Sequence, residues 1–432
     1  MLQMERVPSN RESGVIRMSR RCSLLLALAL FSPLFAFAAD GCPEVAPSVQ
    51  NSASGARTLT VELYPFVPNF GAFKDEVTRR FAQAHPDIRL VIVDLSDNYY
   101  GSFSDAYVGC AQANVYEMDS VFLHDFAINK KIQPLPPAAM LPDDGFLKNA
   151  VAGAVVGGVR YGSPHWVCGN FLFFAKSDQK MQGLKTIQDL KKAIGAHPAS
   201  GGGLAVDLMG KSTLGEFYLN AAVDRYPDWN DVAAHVGAFD KGLESDLVAI
   251  RDICEQKTCR DSNQHQTAFF AEQFGAKRAR ALIGYSESLN GALKLATDKG
   301  KCPTAAACLV DSDIDVEELP LDSHAPKVMS WVDSFVVDKK CTDQCLADAA
   351  EFIRFMDDDD LYMSILLPQD GVPAYLLPAK ASLYSRQDLL NRAHLYPKLR
   401  SIIEGSEVPS DLGLNEELRN IGRRIDSDLS KP

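Results

Sequence analysis

Nine of the ten cysteines remain once the N-terminal export signal of this chain is removed, and an odd number in an oxidising compartment leaves one sulfur without a partner. The other eight limit the fold through the crosslinks open to them. Cys254 and Cys259, Cys302 and Cys308, and Cys341 and Cys345 are close-spaced couples, and Cys42 and Cys110 remain for a longer link. These pairs are expectations from spacing, since eight cysteines allow many connectivities. Cys168 is left over. It stands in Ser163-Pro164-His165-Trp166-Val167-Cys168-Gly169-Asn170-Phe171-Leu172-Phe173-Phe174, where an apolar run follows a proline turn, so the thiol is expected where a strand emerges from a loop. A free thiol there is either catalytic or merely buried.

Arg20 and Arg21 precede an uncharged run from Ser23 to Phe37, and Ala36-Phe37-Ala38 offers a small-residue cleavage site. Residues 1–38 therefore read as a signal peptide, and 39–57 as a flexible lead-in. The apolar run is too short to span a bilayer, and Met18 is an alternative start that leaves the mature chain unchanged. Ser19-Arg20-Arg21 matches a twin-arginine signal only in part, and no lipid-attachment frame precedes Cys42. The expected location is the periplasm or the medium, with no membrane partner after cleavage.

Hydrophobic residues make up 46% of the chain and charged ones 23%, a globular balance. The 432 residues less the 38 of the signal exceed what one core supports, so two lobes are expected. The first takes 58–164 plus about 328–372, and the second takes 165–327 plus about 373–432. Without residues 1–38 the net charge is −15, from 39 basic and 54 acidic side chains. That balance argues against nucleic acid or an anionic membrane as partner and is compatible with a cationic ligand.

Leu59 to Tyr64 reads as a buried strand, and Phe73, Val77 and Phe81 recur every four residues along a helix that stops before His85-Pro86. Ile88–Leu95 and Tyr116–Leu123 read as two more strands, so a right-handed parallel unit in an open α/β sheet is expected. In such a sheet ligand groups gather at the carboxyl ends of strands, where Tyr64, Asp94 and Asp119 fall. Farther on, Ser212 is placed to cap a helix reaching Val223, and Gly210-Lys211-Ser212-Thr213 lacks the first glycine of a phosphate loop. Ala281–Glu287 reads as a short strand with a polar end, and Val328–Val337 as a strand interrupted by Asp333. Ala347–Leu366 reads as one helix whose acidic run Asp357–Asp360 is a solvated face. No HExxH or paired CxxC spacing marks a metal site.

Five ordered segments together resemble thiamine pyridinylase, the type I thiaminase. They are Leu63-Tyr64-Pro65-Phe66-Val67-Pro68, Met118-Asp119-Ser120-Val121-Phe122-Leu123, Pro164 to Lys176 with its cysteine, Ile283-Gly284-Tyr285-Ser286-Glu287-Ser288, and Tyr375-Leu376-Leu377-Pro378-Ala379. The resemblance implies the α/β, two-lobed periplasmic-binding-protein-like (type II) fold with a ligand cleft between lobes. It implies Cys168 as nucleophile and Glu287 as general base, with Tyr64, Asp119, Tyr285 and Asp333 lining a pyrimidine pocket and Tyr99, or equally Tyr100, filling a further place in it. Trp331 stands where the family usually has tyrosine, and a further pocket tyrosine has no counterpart near 267–270. The implied partners are thiamine and a small nucleophilic base such as a pyridine, aromatic amine or thiol. The expected protein is a monomer without metal or organic cofactor.

The residue types agree with that chemistry. A thiol attacking an aminopyrimidine needs a carboxylate to take its proton, and burial should raise the pKa of Glu287 into a useful range. Two other classes share features of this chain. A non-catalytic periplasmic receptor for thiamine or a similar small molecule has the same signal and architecture. A papain-like hydrolase would use His165, but its cysteine signature is missing and a histidine three places back on a strand points to the other face.

Overall fold

The computed structural model describes residues 56–93, 113–195, 202–209, 211–226, 228–254, 259, 267–298, 302, 304, 307–321, 327–369, 371–409, 413 and 415–430. The signal peptide, the lead-in as far as residue 55, Asp94, Tyr99 and the Cys42–Cys110 link lie outside these residues.

Strands covered on both faces carry unbroken apolar runs, and this chain has several. In order they are β1 (Arg57–Glu62), β2 (Ile88–Val93), β3 (Val115–Asp119), β4 (Ile132–Gln133), β5 (Val155–Val156), β6 (Val159–Arg160), β7 (Gly162–Cys168), β8 (Asn170–Ala175), β9 (Leu204–Ala205), β10 (Ala281–Tyr285), β11 (Ile314–Glu317), β12 (Trp331–Asp338) and β13 (Leu377–Pro378). The larger sheet has the order β13-β7-β12-β3-β1-β2, with β4 beside β12. Within it β1 is parallel to β2 and β3, while β12 runs antiparallel to both β3 and β7. The smaller sheet has the order β11-β8-β10-β9. The β5–β6 hairpin turns on Gly157 and Gly158 at φ 55° and 76°, a conformation that glycine adopts without penalty.

The chain passes between sheets at Gly169. Cys168 ends β7 in the larger sheet and Asn170 opens β8 in the smaller one. A Cβ at Gly169 would stand 3.1 Å from Ile403 Cδ1 and 3.1 Å from the Met329 carbonyl oxygen, so the crossing is packed to backbone closeness. The sheets move the expected division of the chain. β7 stays in the larger sheet beyond 164, as far as Cys168, and β13 adds a piece of 373–432 to it by pairing with β7.

Three sequence readings change for local reasons. Beyond Asp119 the expected strand becomes the helix Ser120–Ile128, because the Asp119 carboxylate accepts from the Val121 N–H at 2.9 Å and caps it. The expected helix over 347–366 divides into Gln344–Met356 and Asp359–Leu366, with Asp358 capping the second through Leu361 N–H at 2.8 Å. Its acidic run is therefore not a plain solvated face, since Asp357 and Asp359 pair with Lys380 at 3.0 and 2.7 Å. The helix Phe70–Ala84 buries Phe73, Val77 and Phe81 as their spacing predicts, and Phe81 meets Phe352 and Phe355 edge-on. Cys254–Cys259, Cys302–Cys308 and Cys341–Cys345 are disulfides, and Cys168 is a buried free thiol.

At the end of β1, Glu62 is fully buried, and neither carboxyl oxygen finds a hydrogen-bond partner among the described residues. Burial alone pushes its pKa well above the usual range. The folded state then binds a proton that the unfolded chain releases above about pH 4.5, so this group lowers stability as pH rises from there. E62Q is expected to melt above the wild type at pH 7.5, with the gap closing toward pH 4.5. Equal gaps at both pH values would contradict this reading.

Candidate active site

Register in the larger sheet builds the first half of the site. Trp331 on β12 lies opposite Cys168, and Asp333, two residues on and so on the same face, is flanked by Trp166 and by Asp119 of β3. The register slips between Asp333 and Ser334, a bulge that matches the interruption expected at this aspartate. The Cys168 thiol donates to Asp333 Oδ2 at 3.2 Å. The other oxygen, Oδ1, is buried and finds no partner among the described residues. Asp119 is buried at the carboxyl end of β3, and Ser120 Oγ accepts from Val332 N–H at 3.0 Å, tying β12 to the start of that helix.

Glu287 comes from the smaller sheet. It follows β10 and opens the helix Ser288–Thr297. That helix is held by three contacts: Asn290 donates to the Val372 and Pro373 carbonyls at 3.1 and 3.0 Å, and Lys294 donates to Asn69 Oδ1 at 2.8 Å. Ser286 Oγ donates to Glu287 Oε2 at 3.5 Å. Tyr285, the last residue of β10, pairs with Asn170 of β8, two places beyond the thiol.

The strongest influences on these groups are burial and other carboxyls. Burial pushes the Cys168 thiol well above its ordinary range, and Asp333, Glu287 and Asp119 add to the rise. Asp333 is raised by burial, then by Asp119 and Glu117. Glu287 is pushed up to about 7 by burial, against weaker hydrogen bonding from its own backbone and Ser286. A helix N-terminus favours an anion, so here desolvation outweighs the helix field. The result is a carboxyl that gains or loses a proton near neutral pH, which suits acid–base work.

Beneath the pocket, Glu117 bridges two elements. Its Oε2 accepts from the Tyr64 N–H at 2.7 Å, and its Oε1 bonds with His165 Nδ1. His165 therefore serves Glu117, and the Cys168 thiol bonds to Asp333, which removes the geometric basis for a cysteine–histidine hydrolase. Tyr64 is buried and meets Phe66 edge-on, with ring centroids 5.4 Å apart.

Of the residues expected from sequence, Cys168, Asp119, Trp331 and Asp333 come together across β7, β12 and β3, and Glu287 and Asp119 act on the thiol through charge. Tyr64 joins through Glu117, and Tyr285 through its pairing with Asn170. Sequence reasoning missed Glu117 and Glu216. A carboxylate inside the run Val115-Tyr116-Glu117-Met118 was a usable signal, because a charge in a buried strand demands a partner. Glu216 lies on an ordinary-looking helix, Lys211–Arg225, and offered none.

The family model for the Thiaminase-1 domain matches residues 169–299, starting one residue after the thiol. That stretch is thus similar to a Thiaminase-1 domain. A relative, thiaminase-1 of Paenibacillus thiaminolyticus, is 26% identical over 373 residues, covering 84% of this chain and 85% of that protein. Clostridium botulinum thiaminase I in complex with thiamin has a TM-score of 0.71 at 21% identity, covering 86% of this chain and 100% of that one. The GacH receptor of Streptomyces glaucescens has a TM-score of 0.65 at 17% identity, covering 87% and 93%. The two-lobed, periplasmic-binding-protein-like α/β fold is thus common to Thiaminase-1 proteins and solute receptors. The Thiaminase-1 span holds Asn170, Glu216, Tyr285 and Glu287, whereas the thiol and both aspartates come from outside it.

One free sulfhydryl is expected by thiol titration of denatured, unreduced protein freed of residues 1–38. Three or more would contradict the pairing scheme.

Proposed function

We propose that this chain is a thiamine-degrading transferase, exported to the periplasm or the medium and working as a monomer. The observation that carries the reading is a buried thiol set among the carboxyls of Asp333, Glu287 and Asp119, beside a Thiaminase-1 domain. A pocket so rich in carboxyls favours a cationic substrate, and thiamine brings a thiazolium joined to an aminopyrimidine through a methylene. Asp119 and the unpartnered Oδ1 of Asp333 accept hydrogen bonds from the aminopyrimidine. Tyr64, Tyr285 and Trp331 wall the ring and the cation.

Glu287 as carboxylate takes the Cys168 proton, and the sulfur bonds to a carbon of the pyrimidine ring. The methylene–nitrogen bond then breaks, its electron pair goes to the thiazolium nitrogen, and neutral thiazole leaves. A pyridine, aromatic amine or thiol bonds to the methylene, and the ring electrons expel the cysteine sulfur. The departing sulfur takes back from Glu287 the proton it gave, and where the acceptor is an amine or a thiol the carboxylate so restored takes the acceptor's proton. The net reaction moves a pyrimidinylmethyl group.

The deciding assay incubates purified protein with thiamine and pyridine or aniline and identifies products by mass. An adduct of pyrimidine and acceptor is expected. Thiamine that is bound and recovered intact would instead favour a receptor, the reading that the GacH-like fold leaves open. C168S is expected to lower turnover by at least ~10³-fold with unchanged folding, and persisting activity would remove Cys168 from its role.

Because the proton must leave the thiol for a carboxylate titrating at about 7, single-turnover release of thiazole should fall as pH drops through 7. E287Q should abolish that acid limb and slow release ~10²-fold or more while thiamine still binds. The thiol's contact with Asp333 favours a second assignment, with Asp333 as the base. In that case D333N, and not E287Q, would remove the limb.

A further inference from the structure

Glu216 projects from the helix Lys211–Arg225, and its carboxyl receives a hydrogen bond from the Tyr285 hydroxyl through Oε2. Asn170, the residue paired with Tyr285 in the smaller sheet, hydrogen-bonds toward the same carboxyl. The helix itself is tied to the segment entering β12: Met329 N–H donates to Asn220 Oδ1 at 3.2 Å, and Lys327 N–H donates to the Asp224 carboxylate. The Met329 carbonyl is also one of the two atoms that close off Gly169. One helix thus touches the strand end before Glu287, the strand start after Cys168 and the approach to Asp333.

We infer that Glu216 is a positioning residue: by clasping the Tyr285 hydroxyl beside Asn170, it holds the strand end carrying Glu287 at a fixed distance from Cys168. The inference rests on the transferase reading and adds to it a residue that the five resembling segments do not contain. A second consequence follows from the donor count. A tyrosine hydroxyl has one hydrogen, and here it is committed to Glu216, so the lone pairs of that oxygen are left to accept from a ligand amino group. Burial, with Asp119 and Glu287 nearby, pushes Glu216 up to about 8. A carboxyl placed at such expense to stability fits a functional position better than a packing one.

The test compares wild type, E216Q, E216D, Y285F and the E216D/Y285F pair in two assays. One measures kcat and KM for thiamine with aniline, and the other measures the rate of Cys168 alkylation by iodoacetamide without thiamine. Gln keeps an acceptor at the same reach and Asp withdraws it, so E216Q is expected to stay within ~5-fold of wild-type kcat/KM and E216D to lose ~30-fold or more. The pair should be no worse than Y285F by more than ~2-fold, since residues acting through one contact do not add. Alkylation should change ~5-fold or more in E216D and hardly at all in E216Q, because the distance between thiol and Glu287 shifts only when the clasp opens.

Additive losses in the pair, or E216D matching wild type in both assays while melting lower, would overturn the inference. Should wild type leave thiamine intact, the transferase reading fails, and the alkylation assay still decides the clasp.

Discussion

The contact between the Cys168 thiol and the Asp333 carboxyl is the constraint around which the rest of the site is arranged. Two groups that both become anionic sit together out of water, with Asp119 beside them and Glu287 acting on them through charge. Such a cluster resists ionisation, since each added charge is both desolvated and repelled. The strongest influences on the thiol are burial and three carboxyls, a setting that a cationic ligand would complement. The same burial that raises the Cys168 thiol brings Glu287 to about 7, so one physical cause acts on both groups.

Backbone architecture enforces the arrangement. β12 returns antiparallel between β3 and β7, and that register sets Asp333 against Asp119 on one side and the thiol strand on the other. Gly169 lets the chain leave the larger sheet immediately after the thiol, through a gap that a side chain would fill. The Cys168 thiol is thus held at the end of one sheet, while Glu287 arrives from the other on a helix pinned by Asn290 and Lys294. Cys168 and Glu287 thus come from separate sheets of the two-lobed frame.

Much of this was legible from local signals. An unpaired cysteine count picked out Cys168, and close spacing picked out three disulfides, because both depend on sequence-near features. Four-residue periodicity located the helix over Phe73, Val77 and Phe81. The helix after Asp119 escaped notice because Ser120-Val121-Phe122-Leu123 is apolar enough for strand or helix, and a capping carboxylate decides between them. Glu216 and the Glu117–His165 pair escaped because they work across long sequence separations, on which a single chain carries no pattern. The division between sheets was misplaced for a similar reason: Gly162–Cys168 and Leu377–Pro378 join the larger sheet through pairing that only the folded chain displays.

The most direct measurement is the site of covalent capture. Protein freed of its signal is mixed with thiamine and no added acceptor, quenched in acid and digested, and the peptide spanning 161–176 is weighed and fragmented. The account predicts a pyrimidinylmethyl group on the sulfur of Cys168, lost again when aniline is added before the quench. Thiamine consumed while that peptide stays unmodified, or a modification lodged on another side chain, would contradict it.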